Sequence, residues 1–88
     1  MDKSKINILV VDDERGLCAG VQEALRREGY VVDAANDARR ALELLGERLY
    51  NVVLTDVRMP DLSGLQLLKE ARQASRDTLF ILMTAYGT

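Results

Sequence analysis

A doubly wound α/β domain on a parallel sheet is what this sequence predicts, from three observations. Short apolar runs rich in β-branched residues alternate with stretches whose apolar residues recur at helical spacing, in the order β-α-β-α-β-α-β. The runs are mostly continuous rather than alternating, as in strands buried on both faces. The chain has 88 residues, 48% hydrophobic and 30% charged, which suits one globular domain.

The first strand is Ile6 to Val11. A helix follows from Arg15 to Glu28, with Leu17, Val21, Ala24 and Leu25 at helical spacing and Gly29 where a C-cap sits. Tyr30 to Ala35 is the second strand, and Asn36-Asp37 caps the next helix. That helix runs from Ala38 to about Leu49, presenting Ala38, Leu42, Leu45 and Leu49, and Gly46 weakens it slightly. Asn51 to Asp56 forms the third strand. Ser63-Gly64 opens a third helix with Leu65, Leu68 and Ala71 on its inner side, and Thr78 to Thr84 is the fourth strand.

Right-handed crossovers leave few topologies for such a chain. If the chain reverses direction after the second strand, the order becomes 2-1-3-4 and a crevice opens at the carboxyl ends of strands one and three. Asp12 and Asp13 end the first strand and Asp56 ends the third, so two strand ends bring acids to that crevice. Converging carboxylates repel and attract a counterion. All the donors are oxygen, which suits a hard divalent cation, Mg²⁺ above all. Asp56 is then either a metal ligand or a nucleophile that becomes an acyl phosphate. The Thr84 hydroxyl lies next along the same edge. Simpler readings stand beside these. Asp12, Asp13 and Glu14 can serve the dipole of the following helix, and Asp56 can start a turn before Pro60.

The same composition excludes several classes. There is no histidine, which removes Ser-His and Cys-His nucleophile pairs and HExxH chemistry. The single cysteine, Cys18, allows no internal disulfide and reads as helix packing. Net charge is −2, without the basic patch of a nucleic-acid binder. No apolar run approaches the roughly 20 residues of a membrane span, and no signal peptide is evident, so a cytoplasmic protein is expected. A phosphatase of the HAD type also uses an aspartate nucleophile with Mg²⁺. It places a second acid two residues later, where this chain has Arg58.

Three segments, ILVVDDE at Ile8–Glu14, LTDVRMPDLSG at Leu54–Gly64 and ILMTAYG at Ile81–Gly87, together resemble the receiver domain of bacterial two-component response regulators. The wording MTAYGT leans toward receivers of NtrC-like transcriptional activators. The resemblance implies a flavodoxin-like (CheY-like) fold and a phosphoacceptor signalling role rather than an enzyme. Asp56 matches the aspartate that takes a phosphoryl group from a sensor histidine kinase. Asp12 and Asp13 match the acidic pair holding Mg²⁺, Arg58 the position whose backbone carbonyl is also a ligand, and Thr84 the hydroxyl that senses the phosphoryl group. The family continues with a helix, a strand ending in a pairing lysine and a last helix, which residues 1–88 lack; Lys69 falls on the third helix. Weak Mg²⁺ binding, poor phosphorylation and self-association through a bare fourth-strand edge or exchanged elements are therefore expected. The alternative is a non-phosphorylatable fragment that acts only by pairing with other chains.

Overall fold

The computed structural model of the chain describes residues 2–57, 64–74 and 77–83. After a 3₁₀ turn over Lys3–Lys5, the elements are β1 (Asn7–Val11), α1 (Arg15–Arg27), β2 (Val31–Ala35), α2 (Ala38–Glu47), β3 (Val52–Asp56), α3 (Gly64–Ala74) and β4 (Leu79–Met83). Local chemistry sets their ends. The Glu14 carboxylate accepts from the backbone N–H groups of Gly16 and Leu17, both at 3.0 Å, and so starts α1. Beyond its other end, Gly29 adopts φ 104°, a left-handed conformation open to glycine at little cost. Asp37 caps α2 by accepting from Arg40 N at 2.8 Å. Arg48 then turns extended, so α2 stops short of Leu49.

The four strands are parallel and lie in the order β2-β1-β3-β4, the order expected from the reversal after the second strand. Period-two alternation divides the core. Leu9, Val11 and Val53 pack with Ala41, Leu44 and Leu45 of α2 and Leu67 and Ala71 of α3. Ile8, Val10 and Val32 share the other cluster with Cys18, against which Val21 and Leu25 are partly buried.

The helix faces differ from the sequence reading by a residue or so. Leu17 and Leu65 are about half exposed, and their expected places are taken by Cys18 and Leu67. In α2, Ala41 and Leu44 join Ala38 and Leu45, Leu42 is only partly buried, and Leu49 is 82% exposed. Where adjacent positions are both apolar, as at Leu44-Leu45 and Leu67-Leu68, spacing admits two stripes roughly 100° apart. The position of the helix over the sheet then chooses between them.

The two sheet edges are unlike. At β2, the Val32 carbonyl accepts from Gln22 Nε2 at 3.1 Å and from Arg26 Nε and Nη2 at 3.2 and 2.9 Å. At β4, Leu79 and Ile81 stay 58% and 43% exposed.

Candidate metal centre

Strand register builds the site. Val11 pairs with Thr55 across β1 and β3, so Asp12, just past the end of β1, and Asp56, the last residue of β3, come to the same level. β1 leads through α1 to β2 on one side, and β3 lies on the other. The acids therefore sit at the switch point where open α/β sheets bind ligands. Asp12, Asp13 and Asp56 each offer a carboxylate oxygen, and these oxygens all lie within 4.8 Å of one another.

The three acids are held differently. Asp12 is 4% exposed, its backbone N–H donates to Ala35 O at 3.1 Å, and its Oδ1 accepts from Glu14 N at 2.9 Å. Asp13 is exposed. Asp56, 9% exposed, is the last residue of β3 and pairs with Met83 of β4, and Val57 N continues that ladder to Met83 O at 3.2 Å. Burial pushes the Asp12 carboxyl above its usual range. The negative charges of Asp56, Asp13 and Glu14 push the same way, against the hydrogen bond from Glu14 N. An acid raised by its neighbours' charge is one that a cation would relieve.

The donor set suits a hard cation. Among the described residues the three converging side-chain donors are all carboxylate oxygens, and the sequence holds no histidine. Two ligands on opposite sides of an ion with bonds of about 2.1 Å are about 4.2 Å apart, the scale of this cluster. Cys18 is no ligand here. Its thiol is buried, points to the Val10 and Ala35 carbonyls at 3.7 and 3.8 Å, and is pushed up by burial and by the Asp12 charge, so it stays protonated.

The structure thus brings together Asp12, Asp13 and Asp56. Arg58 and Thr84, with the Met59-Pro60 turn and Ser63, lie outside the described residues. Glu14 does what the simpler reading allowed, capping α1. Asn36 was read only as part of a helix cap. Asp37 is the cap, while Asn36 Nδ2 donates to Asp12 O at 3.0 Å and Asn36 Oδ1 accepts from Arg15 Nη1 at 3.2 Å. An asparagine directly after the second strand, level with the acids, was the available signal.

Comparison with known proteins bears on family and fold. The family model described as response regulator receiver domain matches residues 8–88. The transcriptional regulatory protein ZraR of Escherichia coli O157:H7 is 42% identical over 88 residues, all of this chain and 20% of that protein. The chain therefore spans about a fifth of that curated relative's length. Among solved structures, the response regulator TrrA of Thermotoga maritima, in complex with Mg²⁺-BeF, is 39% identical with a TM-score of 0.86, over 93% of this chain and 71% of that one. A response regulator of Burkholderia pseudomallei, solved with a phosphorylated aspartic acid, a calcium ion and citrate, is 27% identical with a TM-score of 0.88. It is matched over 96% of this chain and 49% of that one.

Proposed function

Because the chain belongs to the response regulator receiver domain family, we propose that it is a phosphoacceptor module that takes a phosphoryl group on Asp56 from a sensor histidine kinase, with Mg²⁺ held by Asp12, Asp13 and Asp56. The observation that carries this reading is the convergence of three carboxylate oxygens within 4.8 Å at the carboxyl ends of β1 and β3. The Mg²⁺-BeF of TrrA and the phosphorylated aspartic acid of the Burkholderia protein, both similar to this chain, support it.

Each residue then has a role. Asp56, the last residue of β3, presents an oxygen that bonds to phosphorus as the phosphorus–nitrogen bond of a phosphohistidine breaks. Mg²⁺, when bound, neutralises the acids and the phosphoryl oxygens. Asp12 stays close to Asp56 because its backbone is fixed to β2 and its carboxylate to Glu14 N. By resemblance, the Arg58 carbonyl completes the ligand set, and the Thr84 hydroxyl turns to the phosphoryl group and biases the surface beyond β4. The role is signalling rather than turnover, in the cytoplasm, and the output is transcriptional, as the name of ZraR suggests. No helix among the described residues is long and apolar enough to cross a membrane.

Treatment with acetyl phosphate and Mg²⁺, read by intact mass, tests the proposal. One added phosphoryl mass is expected on the native chain, none on Asp56→Asn, and none after chelation. An unchanged native mass, or modification of Asp56→Asn, refutes it; turnover of a simple phosphate ester would instead favour a hydrolase.

Self-association is a second part of the reading. The exposed Leu79 and Ile81 lie on an edge strand, while the Val32 carbonyl at the opposite edge is covered. Pairing with a second copy is therefore expected at β4. Light scattering over a wide concentration range should show an oligomer that Ile81→Lys reduces to monomer. A native monomer throughout overturns this part.

A further inference from the structure

Three carboxylates that repel one another must be kept together before a cation arrives, and backbone restraint is the means available. The loop from Asp12 to Glu14 is tied to α1 by the Glu14 cap and to β2 by the bond from Asp12 N to Ala35 O. One side chain from another part of the chain adds to this. Asn36, half-buried at the end of β2, donates from Nδ2 to the Asp12 carbonyl at 3.0 Å.

An amide side chain has two faces, and a donor must meet the carbonyl. Arg15 decides which face does so. Its guanidinium only donates, so its bond of 3.2 Å falls on Asn36 Oδ1 and leaves the NH₂ group facing Asp12. The amide is neutral, so it restrains the loop without adding charge to the cluster. Pinning the Asp12 carbonyl fixes the peptide that leads into Asp13, and Asp13, being exposed, takes its direction from that backbone.

We infer that Asn36, oriented by Arg15, is a positioning residue that holds Asp12 and Asp13 in a cation-ready arrangement. This rests on the reading of the cluster as a divalent-cation site. Interactions one step behind the ligands typically change metal affinity about 10–100-fold.

Arg15 makes the inference sharp, because two physical effects predict opposite signs. By charge alone, Arg15→Ala removes a cation near the site and tightens Mg²⁺. By positioning, it frees the Asn36 amide and weakens Mg²⁺, and only while Asn36 is present. The experiment is calorimetric titration of the 88-residue chain with Mg²⁺, for the native protein, Asn36→Ala, Arg15→Ala, Arg15→Lys and the double alanine variant. Beside it, amide hydrogen exchange at Glu14 is followed without metal, since that N–H bonds to Asp12 Oδ1.

The expected results are about tenfold weaker Mg²⁺ binding for Asn36→Ala, several-fold weaker for Arg15→Ala, and recovery in Arg15→Lys. Arg15→Ala should add no weakening on the Asn36→Ala background, and Glu14 exchange should speed up in both single alanine variants. Thermal melts confirm that each variant is folded. If Asn36→Ala does not fold, Arg15→Ala, at an exposed position, decides. Tighter Mg²⁺ binding by Arg15→Ala, or native affinity in Asn36→Ala, overturns the positioning role and leaves the cation site standing. If the native chain takes up no Mg²⁺ while Asn36→Ala still speeds Glu14 exchange, the cation reading falls and the restraint on the loop remains.

Discussion

Replacing Asp12 by Asn should stabilise the metal-free protein while removing its response to Mg²⁺. Asn keeps an oxygen to accept from Glu14 N, which is 2.9 Å from Asp12 Oδ1, and discards only the charge. At 4.8 Å, the outer limit of these oxygens' separations, two unit charges repel by about 0.9 kcal/mol at the dielectric of water and about 3.5 kcal/mol at an effective dielectric of about 20. Asp12 is 4% exposed and Asp13 is open to solvent, so the relief falls between these limits, about 1–3 kcal/mol. For a domain of this size each kcal/mol moves Tm by about 4–8 °C.

The assay is thermal unfolding in chelator at low salt, repeated with Mg²⁺. In chelator the variant should melt at least about 4 °C above the native chain, and added NaCl should narrow the gap by screening. With Mg²⁺ at about ten times Kd the native chain should gain about 1.4 kcal/mol, and the variant much less. The pH dependence has a definite sign. The folded Asp12 carboxyl sits above its ordinary value of 3.8, so its contribution to stability is fully present below that value. That contribution is lost as pH rises through the raised folded value, and Asp12→Asn should lack the loss. A variant that melts at or below the native temperature in chelator, or that gains as much from Mg²⁺, would refute the reasoning.

Two further outcomes follow from the packing. Tyr50 is buried, and its hydroxyl donates to Asp33 Oδ2 at 2.6 Å, where Arg48 Nη1 also bonds at 2.9 Å. Tyr50→Phe should cost about 1.5 kcal/mol in urea unfolding, near the low end for bonds to charged groups, because Asp33 keeps Arg48. Burial first, and then the bond to Asp33, raise the Tyr50 hydroxyl above its ordinary value of 10.0. Its share of stability should therefore be lost only above about pH 10, and urea melts between about pH 8 and pH 11 should show no such loss in Tyr50→Phe. Leu67, fully buried between α3 and the sheet, should cost about 2–5 kcal/mol as Leu67→Ala, with the urea m-value unchanged.

Much of the site was legible because its parts are local. A β-branched run that ends in Asp12-Asp13, and another that ends in Asp56, can be read in the chain without knowing what lies beside them. The caps were partly legible for the same reason, since a carboxylate reaches the N–H groups two or three residues on, as Glu14 and Asp37 do. The Asp33–Tyr50–Arg48 group was not. Asp33 stands 15 and 17 residues from its two partners, and nothing in the spacing joins them.

What the amino-acid order determined by itself was the succession of strands and helices, the placing of acids at two strand ends, and the absence of histidine. These depend on periodicity and residue type, which short stretches carry alone. Only the tertiary structure decided which of two apolar neighbours turned inward, Leu67 rather than Leu68, because the sheet beneath the helix makes that choice. Only it could show Asn36 and Arg15 bracing the Asp12 loop, since a bond across 24 residues exists once β1 and β2 lie in register.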